Sequence, residues 1–207
     1  MAGASVHVAV ESVTDASGLI GDEVAAVEKA VPKRQAEFAA GRRAAREALA
    51  PMGLGGTEIP KGEDRRPHWP SGVVGSISHQ GTIAIAAAAP DTVIRALGID
   101  LAEAVPLADK VRPEILVTAR ERALPGLDAM AVFSAKETIY KALHPIVGRY
   151  FGFGAVELTP DLDRQTFEGA LLEALGPFQP GAIFRGRMAV VERWIVTTLV
   201  LPERSLA

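Results

Sequence analysis

Apolar and polar positions change rhythm several times along the chain, and each change marks an expected element. Residues 5–10 (SVHVAV) alternate with a period of two, the pattern of a half-buried strand. Residues 22–49 read as helical, rich in Ala, Glu, Lys and Arg, with Pro32 marking a break between two helices. Pro51 closes this region, and Gly53, Gly55 and Gly56 make a loop. Residues 61–72 are polar and carry Pro67 and Pro70, so they predict a loop with fixed turns. Two apolar runs, 73–78 and 82–88, flank a His-Gln-Gly turn and predict a hairpin. A third strand, 93–99, runs into Asp100.

Pro106 and Pro113 bracket a connecting region, after which Asp128 is placed to cap a helix running to about Leu143. Two further β-rich runs, 182–191 and 194–201, close the chain. Strands and helices come in groups, so a mixed α+β fold is expected rather than a doubly wound parallel sheet.

Composition narrows the class. At 207 residues the chain can bury one large core or two small ones, and its 48% apolar and 23% charged content is that of a globular protein. A net charge of −3 provides no general field for nucleic acid or an anionic membrane, so neither is an expected partner. There is no cysteine, hence no disulfide framework and no thiolate metal site. The first residues lack the basic and apolar regions of a signal peptide, and the apolar run 83–89 is too short to span a bilayer. A cytoplasmic, soluble protein is expected.

Four segments carry candidate chemistry. In VFSAKETIYKAL (132–143), a helix puts Glu137 and Lys141 four apart on one face. Alone, such a pair reads as a solvated surface contact. In LGID (97–100), an apolar strand delivers the Asp100 carboxylate to a sheet edge, although a lone GID more often begins a turn. Together these two carboxylates suit Mg²⁺, which takes oxygen ligands and is held by one or two carboxylates plus substrate phosphates. WPSGVVGSISHQG (69–81) places Ser78 and His79 at a hairpin tip, where a hydroxyl and an imidazolium can hold phosphate oxygens. The arginine-rich stretch 33–46 offers Arg34, Arg42 and Arg46 as guanidinium forks, with Glu37 and Glu47 interleaved as on an ordinary solvated face.

In this order the segments resemble the Sfp/EntD-type 4′-phosphopantetheinyl transferases, and among them the actinobacterial branch that activates carrier proteins. The family's G-[IV]-D stands here as Gly98-Ile99-Asp100, and its [FW]-[SCT]-x-K-E-x-x-x-K as Phe133 to Lys141. Its W-P-x-G-x-x-G-S-[IVL]-[ST]-H stands at 69–79, and the arginine helix and Phe151-Gly-Phe-Gly154 fit the same branch. The resemblance implies two similar α/β halves in a pseudo-dimeric fold, 1–102 and 103–207, with the active site in the cleft between them. Asp100 would close one half and Glu137 would face it from the other.

It implies that Asp100 and Glu137 hold Mg²⁺, with Mn²⁺ as the alternative metal, that Glu137 also serves as general base, and that Lys141 lies by the pyrophosphate. Arg34, Arg42, Lys61 and His79 would bind the phosphates of the substrate coenzyme A, with Ser78 and Lys136 lining the same cleft. The implied partners are acyl or peptidyl carrier proteins, and a monomer is expected. One departure stands out: the family's G-I-D-x-E has Ala102 in place of its second acid, and Glu103 lies one residue further on. On a strand Glu103 faces away from Asp100, so a water is expected in the missing ligand's place. Asp64 is a smaller departure, in a loop where relatives are often basic. The alternative reading that Ala102 motivates is a catalytically impaired module that binds coenzyme A or a carrier protein.

Overall fold

The structure is a computed structural model that describes residues 6–107 and 112–203. The described residues divide into two compact units, one running to Leu97 and taking in Leu201 onward, the other spanning Gly98–Val200. Strands and helices are grouped, as an α+β fold requires, in a three-stranded and a five-stranded sheet. Among the described residues no helix is long and apolar enough to cross a membrane.

In the first unit, β1 (His7–Ser12) begins later than the alternation suggested, and Ser5 lies outside the described residues. The helical region splits at Pro32 as expected, but unequally. A single turn, α1 (Asp22–Ala25), precedes the long α2 (Pro32–Leu49), which starts with Pro32 at its first position. β2 (Val73–Gln80) and β3 (Ile83–Pro90) form the hairpin, with Ser78 opposite Ile85 and His79 opposite Ala84. The turn is Gly81-Thr82, with Gly81 at φ 58°, so Ser78 and His79 lie within β2 and not at the tip. Strand pairing extends two residues beyond the expected end because His79 and Gln80 have partners across the ladder.

The sheet order is β1-β3-β2, and α2 covers one face. Small residues set that contact: Ala44, Ala45 and Ala48 of the helix pack with Ala86 and Ala88 of β3. At Gly41 an added Cβ would lie 3.0 Å from Ile77 of β2, so this close approach depends on glycine.

In the second unit, α3 (Arg112–Ile115) and α4 (Ala119–Arg122) lead into α5 (Gly126–Val147). Pro125 occupies the N-cap position of α5, so Asp128 is not the cap. It lies in the first turn, where a carboxylate still complements the helix dipole. The helix runs past Leu143 to end at Gly148, whose φ of 70° supplies the left-handed cap. β4 (Ile94–Glu103) opens a five-stranded sheet of order β4-β8-β7-β6-β5.

β7 (Ile183–Val191) and β8 (Trp194–Pro202) match the expected closing runs, whereas β5 (Val156–Asp161) and β6 (Thr166–Leu171) were not foreseen. Both are only six residues long and Pro160 falls inside β5, which hides them from pattern reading. Gly98 of β4 and the backbone of α5 approach so closely that a Cβ at Gly98 would overlap the Thr138 carbonyl oxygen. The glycine of the GID segment therefore brings α5 down onto β4 beside Asp100.

Candidate functional site

Asp100 does not end a strand. β4 continues through Glu103, and Asp100 is 5% exposed because the protein supplies partners for its charge. Ser134 Oγ donates to Asp100 Oδ2 at 2.8 Å, and Lys141 Nζ donates to Oδ1 at 2.7 Å and to the Ile99 carbonyl at 3.2 Å. Ser134, Glu137 and Lys141 share one face of α5, so the helix that Gly98 admits presents all three to Asp100. Asp100 therefore belongs to the same compact unit as Glu137 and Lys141 and does not face them from another.

Behind Asp100 lies a cluster of buried hydroxyls. Thr197 Oγ1 is 2.9 Å from Ser134 Oγ and 2.6 Å from Thr138 Oγ1, and all three residues have 0% exposure.

Glu137 is half-buried, and among the described residues its carboxylate has no hydrogen-bond or ion-pair partner. Burial pushes its titration above the usual carboxylate range. Lys141 opposes the shift and the charge of Asp100 adds to it. Glu103 turns to Arg193, 3.5 Å away, and Ala102 is buried. Among the described residues no cluster of three or more His, Asp or Glu is arranged around a metal-sized site.

Lys136, beside Glu137 in sequence, points the other way. Its ammonium is 3.0 Å from Glu121 and donates to the Ile115 and Phe153 carbonyls, each at 2.9 Å. Burial pushes that ammonium below the usual lysine value, and Glu121 opposes the shift. Glu121 itself is 0% exposed and accepts the backbone N–H groups of Val117, Thr118 and Leu158. Reading by motif missed this residue, although Thr118-x-x-Glu121 is a capping box legible in the sequence.

Beside Glu137 a pocket of about 140 Å³ is lined by Lys136, Tyr140, Tyr150, Phe151 and Phe153. Tyr140 packs against Phe151 with ring centres 4.9 Å apart, and Phe133 meets Phe153 edge-on at 5.9 Å.

The first unit carries the cationic candidates. Arg34 Nη1 lies 2.7 Å from His79 Nε2, and because a guanidinium only donates, that nitrogen accepts and the imidazole is neutral there. Glu37 stands 3.5 Å from Arg34 and 3.8 Å from His79 Nδ1. Arg42, two turns along α2, is 6% exposed, donates Nε to the Ile59 carbonyl at 2.7 Å and stacks its guanidinium 4.0 Å from the Phe38 ring centre.

Burial pushes the Arg42 guanidinium down to about 10, far enough above neutrality that the charge is kept. Ser78 is buried in β2, and Lys61 is exposed on its loop, where residue 61 bridges Pro67. In the same loop Asp64 is neutralised by Arg66, and Arg65 adopts a φ of 69°.

Comparison with known proteins follows the same division. The model of the 4′-phosphopantetheinyl transferase N-terminal domain matches residues 22–89, and that of the 4′-phosphopantetheinyl transferase superfamily matches residues 96–182. The 4′-phosphopantetheinyl transferase Svp of Streptomyces mobaraensis is 37% identical over 88% of this chain and 78% of its own. Npt of Nocardia iowensis is 31% identical over 84% of this chain and 85% of its own. PptT of Mycobacterium tuberculosis is 30% identical over 92% and 90%. The matched segments contain α2 with its arginines and the β4–α5 pair with Asp100, Glu137 and Lys141, and with relatives of this identity along most of its length the chain belongs to the 4′-phosphopantetheinyl transferase superfamily.

Proposed function

We propose that this protein transfers 4′-phosphopantetheine from coenzyme A to a serine hydroxyl of an acyl or peptidyl carrier protein, releasing 3′,5′-ADP, in a reaction that requires Mg²⁺ or Mn²⁺. The observation that carries the reading is the grouping of Asp100, Glu137 and Lys141 in one unit, in a chain whose relatives bear the transferase name.

In the reaction the serine oxygen bonds to the β-phosphorus of coenzyme A and the bond to the bridging oxygen breaks. The nucleotide leaves with that oxygen. Glu137 accepts the serine proton. Its raised titration, caused by burial, makes it a stronger base than an ordinary carboxylate. Lys141, anchored by Asp100, offsets negative charge on the pyrophosphate as it departs. Arg34, Arg42, Lys61 and His79, with Ser78 beside them, bind the phosphates of coenzyme A. Lys136 contributes by holding the Phe153 carbonyl, since its ammonium is already engaged by three protein acceptors.

The donor set fits a hard divalent cation. Two carboxylates, Asp100 and Glu137, are opposed by the one ammonium of Lys141, which leaves oxygen donors and a net negative charge of the kind such a cation requires. Asp100 and Glu137 would hold Mg²⁺, which when bound would supply charge neutralisation to the phosphoryl group. Ala102 is buried and Glu103 turns to Arg193, so neither position adds a third carboxylate to this pair.

The absent third carboxylate also favours a second reading, a binding module with impaired catalysis. Intact masses of apo carrier proteins, incubated with coenzyme A and Mg²⁺, separate the two. A gain of one phosphopantetheine, abolished by EDTA and by Asp100→Ala, is the expected result. Binding of coenzyme A without transfer to any carrier selects the second reading.

A further inference from the structure

The hydroxyls behind Asp100 have an order to them. Ser134 Oγ is 2.8 Å from Asp100 Oδ2, and an ionised carboxylate only accepts, so the Ser134 proton is committed to Asp100. Thr197 Oγ1 donates to the Ser134 carbonyl oxygen at 3.0 Å and lies 2.9 Å from Ser134 Oγ, so it holds residue 134 through both backbone and side chain. Thr138 Oγ1 donates to the Thr197 carbonyl at 3.2 Å and lies 2.6 Å from Thr197 Oγ1. The result is a relay of contacts that runs from Thr138 through Thr197 and Ser134 to Asp100, each member fixing the next.

We infer that Thr197 and Ser134 are positioning residues that hold the Asp100 carboxylate in the orientation that receives the divalent cation. The inference rests on the reading of Asp100 as a metal ligand. Packing alone does not call for these groups. The three side chains are 0% exposed between α5 and β8, where apolar residues of like volume fill the space without burying polar atoms. Hydroxyls are tolerated there only because each is bonded, and the relay ends on an acceptor-only group. Partners of this kind fix the orientation and basicity of a metal-binding side chain, and losing them weakens metal affinity about 10–100-fold. The clamp joins a strand far along the chain to the GID segment, which explains why motif reading passed over Thr197.

The test is a Mn²⁺ titration of the full-length protein in the presence of coenzyme A, read by the loss of the free-ion EPR signal and corrected with a protein-free control. Melting temperatures are recorded alongside. Thr197→Val keeps the shape and removes the relay, and it is expected to weaken Mn²⁺ binding about 10-fold while remaining folded. Thr197→Ser keeps the hydroxyl and should restore affinity to within about twofold of the parent, on the same scale of second-sphere effects. Should Thr197→Val not fold, Ser134→Ala, which deletes a single oxygen, carries the same expected loss.

Unchanged binding in the relay variants, alongside loss in Asp100→Ala, overturns the positioning role and leaves the metal reading standing. So does a Thr197→Ser variant as weak as Thr197→Val. Unchanged binding in Asp100→Ala overturns the metal reading and the positioning role with it.

Discussion

Each unit is organised around a glutamate with 0% exposure that takes a cation from its own long helix, and the two glutamates use that device differently. Glu23, on α1, receives Arg46 of α2 at 2.8 and 2.9 Å and also the backbone N–H groups of Ile20 and Ile59. Glu121, on α4, receives Lys136 of α5 and the N–H groups of Val117, Thr118 and Leu158. In both, a single carboxylate ties a short helix, a long helix and a distant segment. The helices then diverge. Arg46 continues to the Gly18 carbonyl and leaves the phosphate-binding candidates, Arg34 and Arg42, elsewhere on α2. Lys136 is adjacent to Glu137 and holds the Phe153 carbonyl at the wall of the pocket beside it. A structural pair can stand apart from chemistry in one unit and be built into it in the other.

The strongest test of that contrast is at Glu137 itself. Glu137→Gln removes the proposed base without disturbing either buried pair, and kcat is expected to fall by about 10²–10⁴-fold. Breaking the buried pairs comes next. Glu23→Gln and Glu121→Gln each leave a buried cation short of its counter-charge, and each is expected to cost about 3–5 kcal/mol of stability by denaturant unfolding. At a temperature where both variants remain folded, only Glu121→Gln should also lose kcat; equal loss from Glu23→Gln would remove the contrast. Gly98→Ala pushes α5 off β4, with an expected penalty of about 1–3 kcal/mol and lower activity, since Asp100 and Glu137 then separate. Arg42→Lys retains charge but gives up the planar fork, so KM for coenzyme A should rise with kcat little changed.

The smallest effect is thermodynamic and has a definite sign. Folded Glu137 holds its proton to higher pH than the unfolded chain does, so its ionisation works against folding. That penalty is absent below the ordinary carboxylate range and complete above the raised titration. Glu137→Gln should therefore melt higher than the parent at pH 7 and show no advantage near pH 4, about where unfolded glutamate titrates. A melting curve at the two pH values decides it.

Much of this was legible beforehand because it is local. Pro32 starts α2, and the β-rich runs of β7 and β8 mark strands within a residue of their ends. The GID and FSAKETIYK segments named Asp100, Glu137 and Lys141 from spacing and resemblance. The misreadings share a cause, which is that partners distant in sequence changed what a residue does. His79 read as a turn residue, but ladder pairing with Ala84 extends β2 through it. Asp100 read as a strand end, but Ser134 and Lys141 make its burial tolerable and β4 runs on. Lys136 is expected by resemblance to line the coenzyme A cleft, and its ammonium is held by Glu121, fifteen residues away.

The sequence by itself therefore determined the helix break at Pro32, the α+β grouping and the identities of the chemical groups, since these depend on neighbours within a few positions. Tertiary structure alone decided which charges are spent and which remain available. A buried carboxylate or ammonium is set by desolvation and by whatever donors the fold brings to it, and Glu121, Thr197 and Gly98 meet their partners only when α5 closes onto its sheet.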